Sequence, residues 1–522
     1  MRATTVITLI TIMSKSLPRI FSNPFLLVLL TVLIKIPVFF TKHIQEDSFI
    51  TWRVAKNLLN YGVVGFNGEE RLSASTTHLY VLVSAFFQLN FGDYFIYPLL
   101  IFNCILFGIG SFWLGKVLFR KDVINRGFFI ILLNILPPSL TASCLGMEYA
   151  ILFFLYSGLI YFGIRKGKNW AYLIFPVLLL WTRIDTVIFL GVFFIADVII
   201  RKKLNLVFIL GGIIGVVSVV SFNVIYFGEF VNHTISAKKI AYKNLTHNNS
   251  LEFLLYQWAY YGGLIKKYSL FTFLIFMGFL AALAYAVKQI IKDKTQTQFS
   301  IKVILLAMLS FALLKITVFA FMRAYFDWYY WLPRVFLFVV VLYYLLLYVS
   351  VKRKVLMTLV FVFCFGLYGF QMLQSWAIGY MEETQRMQIA RDIQTENPGI
   401  DQSILLEPAG KIPFYTDLYT YDEVGLVNKK ITAQIQKDEN HWWMNSVKGF
   451  GPDYIVTIIY KPGEEKSYYK MTASDHIYFD SHYQFVKSYP IAEIHRNAPA
   501  ILRWIYSIRP IGQDYHLYHL RK

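Results

Sequence analysis

The chain has 522 residues, of which 57% are hydrophobic and 18% aromatic, whereas only 16% are charged, and its formal net charge is +19. Soluble globular proteins carry about 25% charged and about 45–50% apolar residues. This composition excludes a disordered chain and an ordinary soluble enzyme, and it is typical of a membrane protein.

The excess positive charge belongs to the hydrophobic part of the chain. Residues 1–375 hold 34 Lys and Arg against 13 Asp and Glu, whereas residues 376–522 hold 16 against 18. The basic residues of 1–375 lie in short runs between apolar segments, and not in one water-exposed patch of the kind that binds nucleic acid. The charge therefore indicates membrane topology and excludes a nucleic-acid partner.

Eleven apolar runs approach the roughly 20 residues that a membrane-spanning helix needs. They lie near residues 22–42, 97–118, 127–145, 148–164, 170–184, 186–200, 204–227, 267–290, 301–322, 332–350 and 355–374. Basic clusters occupy every second loop between these runs, as the positive-inside rule requires of cytoplasmic loops. The pattern predicts a domain of about eleven transmembrane helices, residues 1–375, in the plasma (inner) membrane, with a cytoplasmic amino terminus.

One further apolar segment, THLYVLVSAFFQL at residues 77–89, is predicted to be a helix on the outer membrane surface. Counting it as a span would move every later basic loop to the outside. We therefore place it within a first outer loop of residues 43–96. The tail, residues 376–522, contains strand-like runs such as SILLEP, YIVTIIY and HYQFVKSY and is predicted to be an extracytoplasmic, periplasmic or extracellular, α/β domain.

The few acidic residues of the hydrophobic part collect on the outer side in this topology. Because acidic residues contribute little to orientation, we infer a polar, water-filled site at the outer face. Ten of the 13 acidic residues are assigned there, namely Glu46, Asp47, Glu69, Glu70, Asp93, Glu148, Asp185, Glu229, Glu252 and Asp327.

The strongest local motif follows the first span, in HIQEDSFITWRVAKNLLNYGVVGFNGEERLSASTTHLY. Glu46 and Asp47 lie just past the membrane boundary, at the start of an amphipathic pattern. Two adjacent carboxylates repel each other, which raises the pKa of one of them towards a value suited to accepting a proton. Acidic residues are also common in the first turn of a helix, so a catalytic and a capping role are both open for this pair.

These segments resemble the motifs of bacterial polytopic glycosyltransferases of the GT-C superfamily, nearest to the terminal arabinofuranosyltransferase-like and mannosyltransferase-like branch. Besides the first-loop motif, the similar segments are SCLGMEYAILFFLY, WTRIDTVIF, YFGEFVNHTISAK, RAYFDWYYWLPRVF and LLEPAGKIPFYTDLYTYDEVGLV. They occur in order from about residue 46 to residue 427. Together they are far more specific than any one of them.

The resemblance implies a GT-C fold and an inverting transferase on the outer face of the membrane. Such an enzyme takes a sugar from a polyprenyl-phosphate donor and passes it to an envelope glycan, lipid or protein acceptor. The reaction needs a base for the acceptor hydroxyl and cations for the developing phosphate charge. The favoured base of the family is the first acidic position, which maps to Glu46. Because the family has Asp there, Asp47 is a second candidate for the catalytic base.

Further positions are candidate substrate-binding residues by the same resemblance. Arg53 either steers the phosphate or lies beside lipid headgroups, and Arg183 either contacts substrate or pairs with Asp185. Lys315, inside a span, is expected to face a cavity or a carboxylate. The candidate substrate-binding set is Arg53, Glu148, Arg183, Asp185, Lys238, Arg323 and Asp327.

The sequence departs from the family pattern at three positions. His78 stands in place of a Pro and is expected to be a hydrogen-bonded surface residue, while Ile184 and Thr186 stand in place of a Pro and a Gly. These departures leave open a non-catalytic envelope scaffold, and the many spans leave open a lipid-linked glycan transporter or flippase. A bound divalent cation is also left open, because paired carboxylates can ligate one. No other cofactor is predicted.

Overall fold

The computed structural model describes residues 18–68, 70–241, 270–292, 298–322, 324, 326–348, 354–396, 399, 401–460 and 465–521. Its internal contacts divide the chain into two compact units. The helical unit comprises Met1–Phe40, Ile96–Val217 and Asn248–Met372, and the mixed unit comprises Thr41–Phe95, Ser218–His247 and Leu373–Lys522. The division into domains 1–375 and 376–522 follows from the predicted membrane topology and stays a prediction.

Apolar helices make up the helical unit, and polar side chains cap two of them. Asn23 caps the first of them, because its side chain accepts hydrogen bonds from the backbone N–H groups of Phe25 and Leu26. Asp122 caps a later helix through the N–H of Asn125. The helices that lie in this unit, or begin in it, are Pro24–Phe39, Ile96–Leu118, Val123–Ile135, Pro137–Cys144, Tyr149–Gly158, Asn169–Thr182, Val187–Arg201, Leu206–Phe222, Leu270–Lys292, Phe299–Phe321, Trp331–Tyr348 and Lys354–Thr384.

Several of these helices are long and apolar enough to cross a membrane. Five such helices occur among the described residues, namely Ile96–Leu118, Leu206–Phe227, Phe299–Phe321, Asp327–Tyr348 and Val355–Thr395. A sixth span results if Val123–Ile135 and Pro137–Cys144, which are bent by 69° where Pro137 begins the second helix, are counted as one. The prediction of a polytopic helical membrane protein is thus confirmed. Each of the eleven predicted runs contains a described helix, but the number of eleven spans stays a prediction.

Three separate stretches of the chain form the mixed unit. The first contains the helix Glu46–Tyr61, which ends at Gly62 in the left-handed conformation (φ 66°). It also contains His78–Phe91, so the helix predicted at residues 77–89 is confirmed, while its position at the membrane surface stays a prediction. The other helices of this unit are His233–Ala241, Arg386–Thr395, Lys411–Thr416, Lys429–Lys437, Trp442–Phe450, Ala473–His482, Ile491–Asn497 and Ala500–Ile508.

A five-stranded sheet lies at the centre of the tail. Its strands are β1 Ser403–Leu406, β2 Tyr419–Asp422, β3 Tyr454–Ile459, β4 Tyr483–Tyr489 and β5 Asp514–Leu520, in the order β2-β1-β3-β5-β4. β1 pairs in parallel with β2 and β3, and β5 pairs antiparallel with β3 and β4. The three strand-like runs of the sequence are β1, β3 and β4.

Both faces of this sheet are covered. Successive residues of a strand point to opposite faces, and accordingly Ile404 and Leu406 belong to one hydrophobic cluster while Leu405 belongs to another. The first cluster includes Ile389 from the helix Arg386–Thr395, and the second includes Trp443 from the helix Trp442–Phe450. The sheet therefore fixes the segments that precede and follow β1, which carry the residues described next.

Candidate active site

Glu46 opens the helix Glu46–Tyr61 and is only 9% exposed. Its Oε1 accepts hydrogen bonds from the backbone N–H groups of Gly410, at 3.1 Å, and Lys411, at 2.7 Å. Its Oε2 accepts one from Arg386 Nη1 at 2.8 Å. Burial raises the pKa of Glu46 above its ordinary value, and the charge of Arg386 opposes that rise. Both oxygens of this carboxylate are occupied by groups of the protein itself.

The backbone at Gly410 passes too close to Glu46 for any side chain. A Cβ atom built there would lie 2.5 Å from the Glu46 carbonyl oxygen and 2.6 Å from Oε1. A glycine is therefore needed for the two backbone N–H groups to reach the carboxylate.

A second carboxylate, Glu382, completes a chain of alternating charges. Arg386 Nη1 donates to Glu382 Oε1 at 3.0 Å, and Lys411 Nζ donates to Glu382 Oε2 at 3.1 Å. We call Glu46, Arg386, Glu382 and Lys411 the Glu46 cluster. Its two acids and two bases are buried, with side-chain exposures of 16% or less. Charges buried in this way stabilise a fold only as a complete set, because removal of one member leaves another uncompensated.

Asp47, the neighbour of Glu46, has a different environment. Successive side chains on a helix point about 100° apart, and Asp47 is half-buried where Glu46 is buried. The adjacent acids predicted from the sequence are thus brought to one helix end with different burial: Glu46 is buried and Asp47 is half-buried.

Arg53, a candidate phosphate ligand, holds the backbone of its own unit together. Its Nε donates to the carbonyl oxygen of Phe66 at 3.0 Å, Nη1 to that of Pro413 at 2.6 Å and Nη2 to that of Leu418 at 2.7 Å. The residue is 3% exposed, and burial lowers the pKa of its guanidinium to about 10, so that it stays protonated at neutral pH. These contacts are those of a structural residue, and a substrate-binding role for Arg53 stays a prediction.

We expect Arg53→Ala to lower the free energy of unfolding by about 3 kcal/mol or more, because hydrogen bonds from a charged donor contribute about 1.5–3 kcal/mol each. The matched control is Lys56→Ala, which removes the half-exposed ion pair of Lys56 Nζ with Asp417 Oδ2 at 2.5 Å. A surface pair of this kind is worth about 1 kcal/mol at most. Thermal unfolding of both variants in detergent measures the difference, and equal shifts of the two midpoints would contradict the assignment.

Three carried-over residues of the helical unit form a second cluster. Arg183 Nη1 donates to Glu148 Oε1 at 2.7 Å, and its Nη2 donates to Asp185 Oδ2 at 3.1 Å. Lys315 Nζ donates to the same Asp185 oxygen at 2.9 Å, which confirms that this intramembrane lysine faces a carboxylate. This second cluster thus joins two positive and two negative side chains, so its net charge is zero. The hydroxyl of the adjacent Tyr149, a residue only 2% exposed, has no hydrogen-bond partner among the residues that the structure describes.

Two of the other carried-over positions, Asp327 and Lys238, are described by their own contacts or burial, and one lies outside the described residues. Asp327 Oδ1 accepts from Arg334 Nη1 at 2.6 Å, and its Oδ2 accepts from Trp331 Nε1 at 2.8 Å. Arg323 lies outside the described residues. Lys238 is half-buried on the helix His233–Ala241 of the mixed unit.

His78 is not the surface residue that the sequence suggested. It is 6% exposed, its Nε2 is 3.0 Å from Asn223 Oδ1, and its ring stacks on Phe227 at 6.0 Å between centroids. Burial lowers the pKa of His78 to about 4, so the imidazole is neutral at pH 7. It is a packed structural residue.

The partners of Glu46 were not predicted from the sequence. Gly410 and Lys411 lie within the segment LLEPAGKIPF, but no family position marks them, and Glu382 and Arg386 resemble any polar end of an apolar run. Their spacing of four residues was the available pattern. Within the described residues no three His, Cys, Asp or Glu side chains meet as metal ligands, and the divalent cation stays an untested possibility.

Comparisons with known proteins bear on the fold. A family profile with the description "Domain of unknown function (DUF8728)" matches residues 375–518, just over a quarter of the chain. No curated protein sequence matches the chain. The crystal structure of ArnT from Cupriavidus metallidurans in the apo state is similar with a TM-score of 0.54 and 11% sequence identity, over 95% of this chain and 97% of that chain.

The chain shares the fold of this ArnT structure. The likeness covers nearly the whole length of both proteins. At 11% identity the likeness is one of fold, and the assignment of individual residues depends on their own contacts.

Proposed function

We propose that this protein is an inverting glycosyltransferase that moves a sugar from a polyprenyl-phosphate donor to a glycan, lipid or protein acceptor of the cell envelope. The observation that carries the proposal is the pair Glu46 and Asp47 at the start of the first helix of the mixed unit, one buried and hydrogen-bonded to the backbone and the other half-buried, in a chain that shares the fold of ArnT. The ordered family-like segments from residue 46 to residue 427 support it further.

The proposed sugar transfer needs one base and several positively charged side chains. The base takes the proton of an acceptor hydroxyl, and the acceptor oxygen then forms a bond to the anomeric carbon as the bond from that carbon to the phosphate oxygen breaks. The polyprenyl phosphate leaves with the electron pair of the broken bond and gains negative charge. Lys238 and Arg323 are the proposed cations for that charge, while Glu148, Arg183, Asp185 and Asp327 stay candidate contacts for the donor.

Asp47 is the base in this proposal, and Glu46 is a positioning residue. The sequence favoured Glu46, and burial does raise its pKa, which suits a proton acceptor. Geometry takes precedence over pKa, however, because a base must reach the proton that it abstracts. The Glu46 oxygens already accept from Gly410, Lys411 and Arg386, and Glu46 is buried where Asp47 is only half-buried.

The orientation of the reaction follows the charge distribution of the sequence. Basic clusters assign alternate loops to the cytoplasm, which puts the first loop and the tail on the outer side of the plasma membrane. Transfer therefore takes place at that outer face, where a polyprenyl-phosphate-linked sugar is the donor.

The test is transfer in proteoliposomes from a panel of polyprenyl-phosphate-linked pentoses and hexoses. We expect release of polyprenyl phosphate with at least one donor, and its loss in the double variant with Glu46→Gln and Asp47→Asn at unchanged membrane expression. A protein that moves the intact donor across the bilayer without releasing the sugar would be a flippase, and one that does neither with any donor would be a scaffold. Either result overturns the proposal.

A further inference from the structure

The last described helix of the tail, Ala500–Ile508, exposes an apolar stripe. Ile501, Trp504 and Ile508 are 42%, 52% and 39% exposed. Their spacing of three and four residues puts them on one side of the helix. Apolar side chains therefore cover a wider arc of this helix, AILRWIYSI, than the side that packs within the unit.

The opposite side of this helix packs against the end of the last long helix of the chain. Leu502, Ile505 and Tyr506 are buried in one hydrophobic cluster with Ala377. The hydroxyl of Tyr506 also donates to the carbonyl oxygen of Ala377 at 2.7 Å. The exposed stripe is thus held at a defined place beside the helix Lys354–Thr384.

The exposed stripe lies at the predicted edge of the membrane. Residues 355–381 carry no charged side chain, and at 1.5 Å per residue about 20 residues cross a hydrocarbon core of roughly 30 Å. A span that begins near residue 355 therefore leaves the core near residue 375, next to Ala377. Trp376, at 36% exposure, lies at the same level, and tryptophan is enriched at membrane interfaces.

We propose that the helix Ala500–Ile508 lies on the lipid bilayer, with Ile501, Trp504 and Ile508 inserted at the boundary of headgroups and acyl chains. Arg496 and Arg503 are exposed and complement lipid phosphates there, as the basic residues of interfacial helices do. The partner is the membrane surface itself. The inference concerns the tail and does not depend on the proposed sugar transfer.

Depth measurements on the full-length protein test this contact. All three native cysteines are buried, so Trp504→Cys, labelled with an environment-sensitive fluorophore, reports on one site in phosphatidylcholine liposomes. The matched control is Ile477→Cys, because Ile477 is 72% exposed on the helix Ala473–His482 of the same sheet domain. Ile508→Cys is the second reporter if the Trp504 variant does not fold.

We expect nitroxide-bearing lipids to quench the label at residue 504 several-fold more than the label at residue 477, with a blue-shifted emission at residue 504. Equal quenching and equal emission at the two positions would overturn the proposal. A blue shift that persists in detergent and grows with protein concentration would also overturn it, because the stripe would then be covered by a second copy of the chain.

Discussion

Asp47→Asn is expected to lower sugar transfer by about 10²-fold or more, since a positioned general base contributes about 10²–10⁴-fold to such a reaction. The amide keeps the size of the side chain and removes its capacity to accept the proton. Initial rates at saturating donor, measured in proteoliposomes beside the unaltered protein, give the loss. Asp93→Asn is the matched control, because Asp93 is an exposed acid that follows the helix His78–Phe91 of the same unit.

The variant Glu46→Gln distinguishes the roles of the two carboxylates. If Glu46 only positions the helix, its amide variant is expected to lose thermal stability and to keep more transfer activity than Asp47→Asn. The glutamine oxygen still accepts from the N–H groups of Gly410 and Lys411, while the charge opposite Arg386 is gone. The reverse ranking, with Asp47→Asn active and Glu46→Gln inactive at normal stability, would falsify the assignment of Asp47.

Arg386→Ala is expected to cost about 3–5 kcal/mol of stability, because it leaves buried carboxylates without their counter-charge. Arg386 Nη1 is the link between Glu46, at 2.8 Å, and Glu382, at 3.0 Å. Thermal unfolding of the purified protein in detergent measures the loss as a shift of the midpoint.

The control for this change is Arg391→Ala on the same helix. Arg391 pairs with Glu383 at 3.0 Å, but its side chain is 53% exposed, and such surface pairs contribute about 1 kcal/mol at most. Adding Glu46→Gln to Arg386→Ala should recover part of the loss, since the remaining Glu382–Lys411 pair is then balanced. Similar midpoints for the two alanine variants, or no recovery in the double variant, would show that the Glu46 cluster is not what stabilises the unit.

The sequence predicted the membrane helices better than the site. Hydrophobic runs and basic loops are properties of neighbouring residues, and each predicted run contains a described helix. The helix at residues 77–89 and strands β1, β3 and β4 were likewise readable from local patterns. The pairing of Lys315 with a carboxylate followed from the cost of an isolated charge within a span.

The contacts of Glu46 and Arg53 could not be predicted in the same way. Apart from Phe66, their partners lie more than 330 positions further along the chain, in a segment that no periodicity connects to the first loop. The sequence gives the charge of Arg53, but only the backbone path around Pro413 and Leu418 explains why that charge faces carbonyl groups. His78 was misjudged for the same reason, because its burial depends on Asn223 and Phe227.

The separation between Arg53 and its partners has a consequence for biosynthesis. Pro413 is 360 residues beyond Arg53, and at a synthesis rate of about 5–20 residues per second this distance amounts to a delay on the order of tens of seconds. During that time the membrane helices between them leave the ribosome, while the helix Glu46–Tyr61 lacks its carbonyl partners at Pro413 and Leu418 and, until residue 386 is made, the counter-charge of Arg386. The first loop therefore stays without these contacts for that period, and a truncation before residue 386 would leave it without them permanently.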